Sequence, residues 1–189
     1  MTFLDAPSPT ADARRMYDND VARDGYVMNL SHLWAHHPSF HSGLIRLLDE
    51  AATEAGLSFR DRGVLIVACA STLGDAYCSL AWGKRLASVA GDDTAQAVVR
   101  GDDSGLDDRE RVLAGWARKI TKNPNGTTKN DTQELRDAGY DDAQIFALTV
   151  FVSLRAAFAM VNDALGALPD DALLDSAVSP AVTFGRFCA

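Results

Sequence analysis

The chain has 189 residues, 47% hydrophobic and 23% charged, which is enough to bury one core as a single domain and excludes disorder as its main state. Its 18 basic and 26 acidic residues give a net charge of −8, so we expect no nucleic-acid partner. The sequence shows no secretory leader and no uninterrupted apolar run of 18 residues, which predicts a soluble, cytoplasmic protein without a membrane partner. The three cysteines are expected to be reduced thiols.

The N-terminal segment combines two prolines with an absence of apolar periodicity. Residues 1–12 are therefore predicted to be a mobile arm, followed by a helical domain over 13–175. Apolar residues recur at helical spacing between 26 and 36, and Pro38 then suits the first turn of a second helix, which Gly56 ends.

Capping signals mark most of the following helices. Ser58 and Asp61 resemble a capping box before an apolar run, which predicts a buried helix. Asp75 is expected to cap the next helix, which places Cys78 in its first turn. An acidic connector is predicted over 91–106.

Three more acid-containing caps predict the helices of the second half, at Asp107 with Glu110, Thr128 with Asp131, and Asp141 with Gln144. The last of these helices is apolar and extends to about residue 165. Hairpin signals are absent, so the sequence predicts an all-α bundle. Residues 176–189 are predicted to form a C-terminal extension.

Several stretches resemble one known superfamily in their order and spacing. They are "LWAHHPSFHSGL", "RDRGVLIVACASTLGDAYCSLAWGKRLA", "AGYDDAQI" and "VNDALG". Over residues 26 to 170 the chain resembles the alkylhydroperoxidase D (AhpD)/carboxymuconolactone decarboxylase superfamily, and within it the peroxidase-related branch. The resemblance implies an AhpD-like helical bundle, a homo-oligomer and a small-molecule substrate, with no cofactor.

Peroxidases of this family carry a Glu, then about a dozen residues later Cys-x-x-Cys, then a His four residues after the second Cys. Position by position, the second cysteine falls on Cys78 and the first on Asp75. The histidine falls on Trp82 and the glutamate on Gly63. The resemblance thus implies a degenerate redox motif with one retained thiol.

The sequence is compatible with three functions. In the first, Cys78 attacks a hydroperoxide as an antioxidant oxidoreductase, Asp75 accepts its proton, and an external thiol reduces the sulfenic acid. In the second, Asp75 acts as an acid or base beside Trp82 in an apolar pocket of a non-thiol enzyme or binder. The third is a catalytically inactive family member.

The surroundings of Cys78 predict a weakly acidic thiol. A carboxylate at Asp75 outweighs the favourable field of the helix N-terminus, so we expect a thiol pKa at or above the ordinary value. Lys84 and Arg85 are expected to face away from the thiol. Cys69 and Cys188 are weak candidates for a second, resolving thiol.

Two further groups of polar residues are candidates for a role in the pocket. Arg155 lies within the last apolar helix, where it needs a carboxylate or an anionic ligand. All four histidines fall within ten residues, at positions 32, 36, 37 and 41. Although His32 and His36 have the i,i+4 spacing of metal ligands, we expect no metal, and we predict that His36 lines the pocket with Tyr77 and Trp82.

Overall fold

A computed structural model of the chain describes residues 2–183, so Cys188, one of the candidate resolving thiols, lies outside the described residues. This part of the chain forms ten α-helices and contains no β-strand. The helices are α1 (Ala11–Asp24), α2 (Asn29–Trp34), α3 (Pro38–Glu54), α4 (Phe59–Leu73), α5 (Ala76–Ala90), α6 (Asp92–Arg100), α7 (Asp108–Lys122), α8 (Lys129–Asp137), α9 (Asp142–Ala164) and α10 (Asp171–Leu174). Short 3₁₀ helices occupy Pro124–Gly126 and Ser179–Ala181.

The predicted helix starts are confirmed. Full capping boxes begin α4, α7, α8 and α9, at the four pairs predicted from sequence. Asp75 caps α5, and its side chain accepts a hydrogen bond from the backbone N–H of Cys78. These local hydrogen bonds satisfy N–H groups that the helix leaves without partners, which is why short patterns located the starts.

Three helices differ from the sequence-based expectation. The predicted connector at 91–106 contains α6, whose Ala95, Val98 and Val99 are buried at helical spacing behind two N-terminal aspartates. Helix α2 is confined to Asn29–Trp34, shorter than the stretch predicted. Helix α1 was not predicted, because it buries only Ala13, Met16 and Asp20 and otherwise has a polar surface.

Helix α4 lies at the centre of the bundle and packs against α5, α6, α7 and α9. Its residues 63 to 70 are all buried, so it forms an apolar axis for the neighbouring helices. Helix α9 is long and apolar enough to cross a membrane by length and composition, with a mean hydropathy of 1.8 over its best window. One face of α9 packs on α3 and α4, as in the core helix of a soluble protein.

The two ends of the described chain both contact the bundle. The backbone N–H of Phe3 donates to the carbonyl of Leu165 (2.8 Å). Near the other end, the side chain of Gln96 donates to the carbonyl of Ala177 (3.0 Å). The mobility of the arm and the proposed boundaries at 12 and 175 stay predictions.

Gly83 provides the space in which the C-terminal segment packs on α5. A Cβ at Gly83 would lie 2.9 Å from a methyl group of Val178, a side chain with no exposed surface. By contrast, a Cβ at Gly115 of α7 would meet nothing within 4 Å. The same substitution at the two glycines therefore differs in whether the added methyl group meets a neighbouring side chain.

We expect Gly83→Ala to be less stable than Gly115→Ala by about 1–3 kcal/mol, because both gain helix propensity but only the first crowds a stiff β-branched side chain. Urea unfolding of both variants measures the difference. Equal stabilities would mean that the 176–183 segment does not pack on α5 in solution.

Candidate functional site

A cavity of about 340 Å³ lies between α1–α5 and α9. Apolar and aromatic side chains form much of its wall, among them Leu30, Ile45, Leu48, Ile66, Phe151 and Phe158. Its volume and apolar wall suit a small molecule.

Cys78 reaches this cavity from the first turn of α5. Its thiol lines the wall, although only 3% of the residue is exposed. Asp75 lies behind it at the helix N-terminus, with no exposed surface and no part in the lining. One oxygen of Asp75 accepts the Cys78 N–H (2.9 Å), and the other is buried and has no hydrogen-bond partner among residues 2–183. Since Asp75 does not reach the cavity, the predicted role as an acid or base acting directly on a ligand does not fit.

Arg155 faces the same thiol from α9. Its Nη2 lies 3.7 Å from the Sγ of Cys78, and its guanidinium stacks over the rings of Trp82 and Phe158, at 5.5 and 5.1 Å from their centroids. Arg155 is buried, and no carboxylate in residues 2–183 forms an ion pair with it. The Asp75–Cys78 pair supplies the nearby negative charge that this cation needs.

The pKa of the Cys78 thiol lies well above its ordinary value. Burial is the main cause, the Asp75 carboxylate adds to it, and Arg155 opposes both. The direction agrees with the sequence-based expectation, but burial contributes more than the carboxylate. Burial also raises the pKa of Asp75, so the two groups compete for a proton inside the protein.

Trp82 lines the cavity. The expectation that Arg85 faces away is wrong, because Arg85 also lines the cavity and places its guanidinium 5.1 Å from the centre of the Trp82 ring. The spacing Cys78, Trp82, Arg85 is i, i+4, i+7, which puts all three on one face of α5. This spacing in the sequence indicates that Arg85 faces the same side of α5 as Cys78.

The histidines differ from the prediction. His36 is exposed and lies outside the lining, whereas His41 lines the cavity, and burial lowers its pKa. The His41 ring also contacts the rings of Trp34 and Phe158, at 5.6 and 6.0 Å between centroids. His36 lies before Pro38, the first residue of α3, while His41 lies one turn inside α3. Within residues 2–183, no group of three or more His, Cys, Asp or Glu side chains is placed to hold a metal ion.

Tyr77 forms part of the cavity wall and contacts residues near the end of the domain. Its hydroxyl donates a hydrogen bond to Asp170, which also accepts the backbone N–H of Asn29 (2.8 Å). Burial and this carboxylate raise the pKa of Tyr77, so its hydroxyl stays protonated. The role of Tyr77 is thus to fix the wall of the cavity.

Gly63, a position of the family pattern, and Cys69, a candidate resolving thiol, both lie outside the lining of the cavity. Gly63 is buried in α4, and a Cβ there would lie 3.1 Å from Leu86, so a carboxylate has no space at this position. Cys69 is buried, does not line the cavity, and accepts a hydrogen bond from the hydroxyl of Thr121 (3.4 Å). Neither residue supplies the missing groups of the motif.

Solved structures share this architecture over nearly the whole chain. A peroxidase-related protein from Ralstonia eutropha JMP134, described as an alkylhydroperoxidase AhpD core, is 19% identical, with a TM-score of 0.81, and the match covers 94% of this chain and 96% of that one. The chain has the AhpD-like fold. The predicted all-α AhpD-like bundle is therefore confirmed.

Two other proteins with the AhpD-like fold are similar. A peroxidase-related protein from Silicibacter sp. TM1040 is 21% identical, with a TM-score of 0.82 and coverage of 93% of this chain and 95% of that one. The debrominase Bmp8, solved with 2,3,4-tribromopyrrole, is 14% identical, with a TM-score of 0.72 and coverage of 91% and 96%. No protein-family model and no curated protein sequence matches the chain.

The opposed charges around the thiol predict opposite effects of two substitutions. Asp75→Asn keeps a capping side chain but removes the negative charge, so the pKa of Cys78 is expected to fall by roughly one to three pH units. Arg155→Gln is expected to raise it. The pH dependence of Cys78 alkylation, measured site by site with mass spectrometry, tests both.

In the parent protein we expect Cys78 alkylation to rise only well above the pH at which an ordinary thiol ionises, because burial raises the pKa of this thiol. Cys69→Ser is the matched control, and it should leave the Cys78 profile unchanged. A Cys78 pKa near 6, or a shift of the same sign in Asp75→Asn and Arg155→Gln, would contradict the charge arrangement.

Proposed function

We propose that the protein reduces hydroperoxides of small, largely apolar molecules, with Cys78 as its single reacting thiol. One observation carries the proposal: the Cys78 Sγ lines an apolar cavity with the Arg155 guanidinium 3.7 Å away. A buried cation at this distance stabilises a thiolate and an alkoxide leaving group. The AhpD-like fold shared with two peroxidase-related proteins supports the same reaction class.

The reaction begins with a proton transfer. Cys78 passes its proton to Asp75, whose own pKa is raised, so the buried pair keeps one negative charge beside Arg155. The thiolate then attacks the terminal oxygen of R–OOH, forming an S–O bond as the O–O bond breaks. The leaving RO⁻ is stabilised by Arg155 and takes a proton from solvent, and Asp75 releases its proton. The balance is Cys78–SH + ROOH → Cys78–SOH + ROH.

An external thiol completes the cycle. Cys69 does not line the cavity, so the lining contains one cysteine among the described residues. Two molecules of a small thiol RʹSH convert Cys78–SOH to Cys78–SH, with RʹSSRʹ and water as products. The proposed protein is thus a one-cysteine oxidoreductase.

We expect Cys78→Ser to abolish consumption of cumene hydroperoxide in the presence of excess small thiol, while Cys69→Ser retains it. Trapping with dimedone should label Cys78 in the parent protein after exposure to peroxide, which detects the sulfenic acid by mass spectrometry. Equal peroxide consumption by parent and Cys78→Ser would end the proposal.

A small-molecule binder without thiol chemistry is the second candidate. It is favoured by the burial of Cys78 and the raised pKa of its thiol, which both slow nucleophilic attack. The debrominase with the same fold was solved with a small planar ring, a shape that the aromatic wall of this cavity also suits. Ligand binding that persists in Cys78→Ser, with no peroxide consumed by the parent protein, would support this second function.

We also propose that the protein is a homo-oligomer that associates through α9. The outer face of this helix exposes Phe146 (72%) and Met160 (62%), and its remaining exposed side chains between them are uncharged. Copies of a chain with net charge −8 repel each other least where the contact surface has no charge. The exposed apolar face therefore favours a second copy over a charged partner.

We expect Met160→Glu to shift the protein toward the monomer in sedimentation velocity. Gln133→Glu, which adds the same charge on the exposed surface of α8, should leave the assembly unchanged. A monomeric parent protein, or an assembly insensitive to Met160→Glu, would exclude this interface.

A further inference from the structure

The lining of the cavity is rich in arginine although the chain has a net charge of −8. It includes Arg23, Arg62, Arg85 and Arg155, with Asp20 and Asp49. Which of these cations is available to a ligand depends on the carboxylates that each one contacts.

Two of the four arginines already have partners. Arg23 pairs with Asp20 (2.9 Å) and Asp24 (2.7 Å). Arg85 stacks on Trp82 and lies 3.7 Å from Asp24. The Arg85 pair joins α5 to α1, whereas both Arg23 pairs lie within α1.

Arg62 has unused hydrogen-bonding capacity. Its Nη1 lies 3.4 Å from Asp49, whose side chain is 68% exposed, so this ion pair is weak. Its Nε is buried and has no hydrogen-bond partner in the part of the chain that is described. A buried N–H donor without a partner costs free energy, and an acceptor from a ligand would remove that cost.

Arg62 is the lining cation with the least compensation from carboxylates. Asp24 contacts Arg23 and Arg85, and the Asp75–Cys78 pair lies beside Arg155. The guanidinium of Arg62 is therefore available to a ligand, and one carboxylate group matches it.

We propose that the substrate of this cavity is a small aromatic or branched aliphatic carboxylate whose carboxylate group binds Arg62. Guanidinium pairs with the planar carboxylate through parallel N–H donors. The apolar body then lies against Phe59, Ile66 and Phe158, which line the same cavity, and the reactive group faces Cys78. This inference rests on the proposed function for the reactive group, but the carboxylate site itself does not.

Binding to the Cys78→Ser protein tests the carboxylate site without any reaction. The two probes are 4-isopropylbenzoate and 4-isopropylbenzyl alcohol, which share an apolar body and differ in charge. Isothermal titration is expected to show the acid binding at least tenfold more tightly than the alcohol. Arg62→Gln should remove this preference and leave the affinity for the alcohol unchanged.

Arg46→Gln is the matched control, since Arg46 is an exposed arginine of α3 outside the cavity lining. It should keep the full preference for the acid. Equal affinities for the two probes, or a preference that survives Arg62→Gln, would overturn the inference.

Turnover by the parent protein separates the two proposals. Cumene hydroperoxide and its 4-carboxylate derivative differ only by the carboxylate, and we expect at least tenfold higher kcat/KM for the derivative. Equal kcat/KM values would overturn the carboxylate substrate while leaving the peroxidase function standing. If neither hydroperoxide is consumed but the acid still binds preferentially, the peroxidase function fails and the carboxylate site stands.

Discussion

The buried guanidinium of Arg155 is the constraint on which the site depends. Helix α9 is otherwise apolar where it packs on α3 and α4, and an unbalanced cation there would cost several kcal/mol. The N-terminus of α5 provides the balancing negative charge through Asp75 and Cys78, of which Cys78 lies 3.7 Å from the guanidinium. The N-terminus of α5 therefore lies opposite Arg155 of α9, and these charges modify a thiol pKa that burial already raises.

Two positions at which the resemblance implies a histidine and a glutamate hold other residues in this chain. Trp82 stands where that pattern has a histidine, and it carries the guanidinium groups of Arg85 and Arg155 over its ring. Gly63 stands where the pattern has a glutamate, and Leu86 fills the space around it. Burial and the charges of Asp75 and Arg155 therefore control the protonation of the thiol.

Sequence patterns predicted what depends on neighbours in the chain. The capping boxes, the position of Cys78 in the first turn of α5 and the apolar core of α4 follow from spacings of three or four residues. The contact between Arg155 and Cys78 joins residues 77 positions apart, and no local rule selects that partner. His41, rather than His36, lines the cavity because of how α3 packs on the bundle, which depends on residues far along the chain.

The charge arrangement also explains how a thiol with a raised pKa can react. A substrate that fills the cavity displaces water and lowers the local dielectric constant. The lower dielectric constant strengthens both the attraction of Arg155 for a Cys78 thiolate and the repulsion of that thiolate by Asp75. Release of the thiol proton to solvent changes the net charge of the buried site, and the free-energy cost of that change rises as water leaves the cavity. Transfer from Cys78 to Asp75 leaves that charge unchanged, so it is the route that dehydration hinders least. Under the proposed function, the reactivity of Cys78 is therefore coupled to an occupied cavity.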